Sequence, residues 1–104
     1  MMNLYDTIEY AKSELADNLE GEGWTDEPHD LITELADQAT PIYTYDILAF
    51  AQENLWLATE EPEIGSDGTA IGIISANIYE HISQELWNHY DELVKERELE
   101  NELY

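Results

Sequence analysis

The sequence predicts an all-α fold, with three short helices packed on one long, bent C-terminal helix. Three observations carry this reading. From about Asp67 to Leu103 no proline interrupts the chain, and Ile71, Ile74, Ile78, Ile82, Leu86, Tyr90 and Leu93 recur at steps of three or four, the period of one helix face. Shorter stretches upstream repeat that period between glycine- and proline-bearing breaks. Finally, 43% of residues are hydrophobic, with three Trp and seven Tyr, enough apolar mass for a core despite a formal charge of −22. One domain, residues 1–104, is the expected organisation.

The first helix is predicted over Asn3 to Leu19. Leu4, Ile8, Ala11, Leu15 and Leu19 share one face, and Asp6, Glu9, Glu14, Asp17 and Glu20 occupy the other, with Lys12 as the only cation. Gly21-Glu22-Gly23 is expected to end it. Trp24 falls in a loop over the core edge. Thr25 or Asp26 can cap a second helix, with Pro28 tolerated in its first turn. This helix reaches about Ala39, with Leu31, Ile32, Leu35 and Ala36 inward and Asp30, Glu34 and Asp37 outward. Thr40-Pro41 breaks the chain before a third helix, roughly Tyr43 to Asn54. Its Ile47, Leu48, Phe50 and Ala51 spread around more circumference than one core contact requires. With Leu55-Trp56-Leu57 they form the least polar stretch, and a surplus of apolar surface in so acidic a chain suggests a subunit contact. An acidic loop, Glu60 to Glu63, leads to Gly65-Ser66-Asp67-Gly68, where Ser66 or Asp67 can cap the long helix. That helix would be about 50 Å long at 1.5 Å per residue. Its other faces carry Glu80, Glu85, Asp91, Glu92, Glu96, Glu98, Glu100 and Glu102, opposed by Lys95 and Arg97.

Charge narrows the function classes. Against 25 Asp and Glu stand 3 Lys and Arg. Such a surface is repelled by nucleic acid and anionic lipid and attracted to a strongly basic partner. There is no cysteine, so neither a disulfide framework nor a thiolate metal site is available, which suits a reducing cytoplasm. The early acids Asp6, Glu9, Glu14 and Asp17 do not fit a signal peptide. Catalysis finds little support: no phosphate-binding glycine loop, nucleophile elbow or Cys/His arrangement is present. His81, Glu85 and His89 recur at four-residue steps, yet match neither a zincin nor a di-iron spacing, and no cofactor or metal is expected.

The positive signal is charge density. Duplex DNA carries one negative charge per about 1.7 Å of axis, so about 75 Å of duplex matches the 44 charges of two copies of this chain. The order His29-Asp30, Ala36-Asp37, Ala39, Pro41, Tyr43, Asp46-Ile47, then Ile71, Ala76, Ile78-Tyr79-Glu80 and Leu86-Trp87, resembles the Ocr family of phage anti-restriction proteins, which are DNA mimics. The likeness covers about nine-tenths of the chain. It departs in a loop shortened by about two residues before the long helix and in a shorter acidic tail interrupted by Lys95 and Arg97.

The resemblance implies a non-enzymatic, elongated homodimer whose carboxylates imitate the phosphates of bent B-form DNA. It implies occupation of the DNA groove of a type I restriction–modification enzyme, in the cytoplasm of the infected host, blocking cleavage and methylation. The phosphate surrogates expected on this basis are Asp6, Glu9, Glu14, Asp17, Glu20, Asp26, Glu27, Asp30, Glu34, Asp37, Glu80, Glu85, Asp91, Glu92, Glu96 and Glu98. Leu48, Gln52, Leu55, Ala70 and Ile73 are the expected dimer contacts; Ile73 lies off the main stripe, so burial against a partner would account for it. The alternative is an acidic inhibitor of another DNA-binding system, such as a BREX-type defence, a nuclease or a polymerase.

Overall fold

The computed structural model describes residues 3–102, with side chains through residue 99. Five helices follow in order: α1 (Leu4–Glu22), α2 (His29–Ala39), α3 (Thr44–Glu53), α4 (Trp56–Thr59) and α5 (Ala70–Glu102). No strand occurs among the described residues. The four shorter helices all pack on α5, and α1 also packs on α2. The molecule measures 52 × 27 × 21 Å, and its long axis matches the length of a 33-residue helix. The expected end of that helix at Leu103 and the side chains of Glu100 and Glu102 lie outside the described residues.

The core follows the apolar stripes. On α5, Ile74, Ile78, Ile82, Leu86 and Tyr90 are buried, with Ile71 and Leu93 half-buried at the two ends of the run. Leu4, Ile8, Ala11, Leu15 and Leu19 of α1 meet them, joined by Ile32, Leu35 and Ala36 of α2 and by Ile47, Phe50 and Ala51 of α3. Each of these larger aliphatic side chains contributes about 1.5–3 kcal/mol on leaving water. That apolar mass holds so highly charged a chain folded.

Helix ends differ from the sequence reading in three places. Asn3 Oδ1 accepts from the Asp6 N–H (2.7 Å) to cap α1, which then runs through Gly21 and stops at Gly23, whose φ is 116°. Glycine tolerates that backbone, and a side chain does not. α2 starts at His29 and not at Thr25 or Asp26, because Glu27 precedes a proline and is driven out of the helical region. The Thr25 hydroxyl instead accepts from the Glu27 N–H in a tight turn (3.0 Å). At α5 the cap is Thr69, whose hydroxyl accepts from the Gly72 N–H (3.0 Å). Asp67 acts one step back, accepting from the Thr69 N–H (2.9 Å) and hydroxyl (2.6 Å). These bonds from Thr69 hold the Asp67 carboxyl below its ordinary pKa. A Cβ at Gly72 would meet that carboxylate, so a side chain there would push Asp67 out of its bonds to Thr69.

A further turn of helix, α4, lies between the expected third helix and the acidic loop, where no separate helix was expected. Asn77, buried on α5, fixes it by donating to the carbonyls of Leu57 (2.9 Å) and Glu60 (2.8 Å). Two carbonyls that the end of a short helix leaves unpaired thus find a donor.

Candidate functional site

Three helices display the acids. Because α1 turns its apolar face to α5, Asp6, Glu9, Asp17 and Glu20 stand in solvent and Glu14 is half-buried. On α2, Asp30, Glu34 and Asp37 are exposed along one face, preceded by exposed Asp26 and Glu27 in the loop. On α5, Asp91, Glu92, Glu96 and Glu98 are exposed, whereas Glu80 and Glu85 are half-buried.

Spacing along each helix is set by the 1.5 Å rise. Asp30 to Asp37 places three acids on about 10 Å of axis, a length over which one DNA strand carries about three phosphates. Across helices, Lys12 brings α1 and α5 together, its Nζ lying 3.5 Å from both Glu9 and Glu85. Asp26 and Glu98 line one shallow depression with Trp24, Tyr90 and Arg97. Glu80 is engaged within the fold, since its carboxylate accepts the Glu63 N–H (3.1 Å). Among the described residues, ion pairs involve only Glu9, Glu85 and Glu92 of these acids, the last with His89 (3.6 Å). The other carboxylates of the set have no ion-pair partner among the described residues.

The histidine–glutamate series on α5 does not converge. His81 packs edge-on against Trp56 with centroids 5.0 Å apart, Glu85 faces Lys12 and His89 faces Glu92. Among the described residues, no group of three or more His, Asp and Glu is placed to hold a metal ion. No helix among them is long and apolar enough to cross a membrane.

The expected dimer contacts lie on the surface. Leu48, Gln52, Leu55 and Ala70 are exposed and Ile73 is half-buried. Leu55 is 72% exposed, and Ile42 before α3 and Tyr45 in its first turn are exposed by 83% and 76%. Tyr45, Leu48 and Gln52 follow the helical period on one side of α3, and Leu55 stands just beyond its end, so this part of the chain leaves apolar surface in water.

A family model described as the DNA mimic Ocr matches residues 1–95. The chain belongs to the Ocr family of DNA mimics. Its anti-restriction character follows from that membership, the family being one of DNA-mimic inhibitors. The match takes in α1 to α4 and most of α5, leaving Glu96, Arg97 and Glu98 beyond it. No solved structure matches the chain.

Three features of this Ocr surface were not read from the sequence. Lys12 was visible as an isolated cation, and Glu9 three residues earlier was a findable partner, but Glu85 required the α1–α5 register. Arg97 sits over the Trp24 ring, 4.6 Å from its centroid, beside Asp26. A groove of about 260 Å³ between α1 and α2 places Tyr10 next to Glu14, where nothing in the helical period signals a cavity.

Proposed function

We propose that two copies of this Ocr-family chain pair through α3 and the start of α5. The dimer then occupies the DNA groove of a type I restriction–modification enzyme in the cytoplasm of an infected bacterium, blocking both cleavage and methylation. The observation that carries this reading is a display of carboxylates on three helices, most of them without an ion-pair partner. Asp6, Glu9, Glu14, Asp17 and Glu20 of α1, Asp26, Glu27, Asp30, Glu34 and Asp37 before and along α2, and Glu80, Glu85, Asp91, Glu92, Glu96 and Glu98 of α5 stand for phosphates. A basic groove selects DNA backbone largely by electrostatics, without reading sequence, so a protein of matching charge density competes with duplexes of every sequence. Carrying the charges on folded helices removes the ordering cost that a flexible acidic tail would meet on binding.

The exposed strip of Leu48, Gln52 and Leu55, with Ala70 and Ile73, supports pairing, because apolar surface of this kind gains by leaving water. Pairing extends the charged surface beyond the 52 Å of one copy.

The test is a competition measurement. A purified type I enzyme is incubated with labelled duplex and increasing amounts of the protein, and cleavage and methylation are followed together. Displacement of duplexes of unrelated sequence at equal protein concentration, with both activities lost, is the expected result. Loss of one activity alone, or displacement of only one duplex sequence, would contradict the reading. Capture of a BREX component, nuclease or polymerase in place of the type I enzyme would move the same surface to another target.

A further inference from the structure

We propose that the groove between α1 and α2 is a socket for one arginine side chain of the enzyme that the protein inhibits. The inference rests on the reading above and adds to it a recognition element that DNA does not possess.

The groove holds about 260 Å³, and its lining is mostly apolar. Ala11 and Leu35, both buried, and half-buried Ala39 form its floor. The Tyr10 ring stands at its edge, 59% exposed. Glu14 and Gln38 supply oxygen at the rim. The Gln38 amide nitrogen donates to Glu34 Oε1 (3.3 Å), which leaves the amide oxygen available to accept. A hydrogen bond with Glu14, and then the charge of that carboxylate, hold the Tyr10 hydroxyl above its ordinary pKa. Tyr10 and Glu14 stand one helical turn apart on α1 and line the same groove.

This combination fits one kind of side chain. An aliphatic stem covers Ala11, Leu35 and Ala39 while its charged head stays at the wet rim. A planar guanidinium there can lie on the Tyr10 ring and direct N–H groups to Glu14 and Gln38. An ammonium is more strongly hydrated and lacks the planar fork, so lysine gains less from the same walls. A neutral apolar occupant would use the floor and leave the Glu14 carboxylate without a cation. The field around the groove, with Glu34 and Asp37 exposed nearby on α2 and a formal charge of −22 overall, selects for a cation. At a bare carboxylate binding decays with salt, whereas here part of it comes from apolar contact that salt does not screen.

The test titrates the isotope-labelled full chain with Nα-acetyl-arginine N-methylamide at constant ionic strength, followed by amide NMR shifts. The lysine and leucine analogues run in parallel. Saturable shifts confined to the groove residues are expected, strongest for arginine and lost in Ala39→Leu, which fills the groove without changing any charge. Tyr10→Ser, at an exposed position, removes the ring and should weaken the same response. Shifts spread evenly over the acids of α1, α2 and α5, or an equal response to lysine or leucine, would overturn the socket. So would a response unchanged in both variants.

Against the type I enzyme, each variant should bind about tenfold more weakly at physiological salt, while Glu20→Gln, which removes a charge elsewhere on α1, should cost less. Localised shifts with no binding of wild type to that enzyme would keep the socket and remove the target. Undiminished inhibition by both variants, with no localised shifts, would remove the socket and keep the target.

Discussion

The Tyr90 hydroxyl donates a 2.8 Å hydrogen bond to the Thr25 carbonyl, joining α5 to the α1–α2 loop across 65 positions. Trp24 lies against the Tyr90 ring, 6.3 Å between centroids, and Arg97 lies over the Trp24 ring. The acids Asp26 and Glu27 follow directly in that loop. Their position relative to the acids of α5 is therefore set by an aromatic anchor, one end of which is a titratable phenol.

That phenol gives the fold an alkaline limit. Burial raises the Tyr90 pKa above 10, with Asp26 and Asp91 adding to the effect and Arg97 opposing it. The folded state thus keeps the proton to higher pH than the unfolded chain. The stability involved is fully present below pH 10 and is lost as pH rises from there through the folded value. Urea denaturation of wild type between about pH 9 and about pH 11 should show falling stability, with a shallower fall in Tyr90→Phe. Equal slopes would mean that Tyr90 is not the group responsible.

Asn77 should be costly to replace. Its two bonds to Leu57 and Glu60 hold α4 and the acidic loop on α5 from a buried position. Asn77→Ala leaves those carbonyls without their donor, at a cost of about 1–3 kcal/mol by chemical denaturation. Asn77→Asp should cost more, because it points an acceptor at two acceptors. A loss below about 0.5 kcal/mol for both variants would show that water replaces the amide there.

These residues mark where sequence reasoning reaches and where it stops. The α5 core stripe was legible because Ile74, Ile78, Ile82, Leu86 and Tyr90 keep the helical period without a proline. The outward direction of Asp30, Glu34 and Asp37 followed from the same period. Asn77 was not legible, since its partners lie 17 and 20 residues away and no local pattern announces them. The caps were misplaced where two polar residues competed, as with Asp67 and Thr69, or where the restriction imposed by Pro28 outweighed a good capping side chain. Lys12 pairs with Glu85 only through an interhelical register that spacing along one chain does not contain.

Pairing through α3 has its own test. Leu48→Asp combined with Ile73→Asp would place like charges across the proposed two-fold contact, where they repel and must be desolvated. Sedimentation should then show folded monomer where wild type sediments as a dimer. A double variant that stays dimeric at micromolar concentration would place the contact elsewhere.

Stored repulsion should be visible in the response to salt. With 25 acids and 3 Lys and Arg, the folded chain holds like charges close together. Added salt screens exposed charges over about 10 Å at 0.1 M. The melting temperature should rise between low and physiological ionic strength. A melting temperature indifferent to salt would indicate that the carboxylates are too widely dispersed to repel one another appreciably.

The central claim is that inhibition arises from the summed field of many carboxylates. It is tested most directly by replacing the surrogate acids with Asn or Gln in groups of two, four and eight. Folding and oligomeric state are checked for each variant, and inhibition of the type I enzyme is measured. A distributed field tolerates the loss of a pair and weakens progressively with each larger group. Graded loss across the series is the expected result. Complete loss from a single pair in a folded protein would contradict it and place the activity in a localised site.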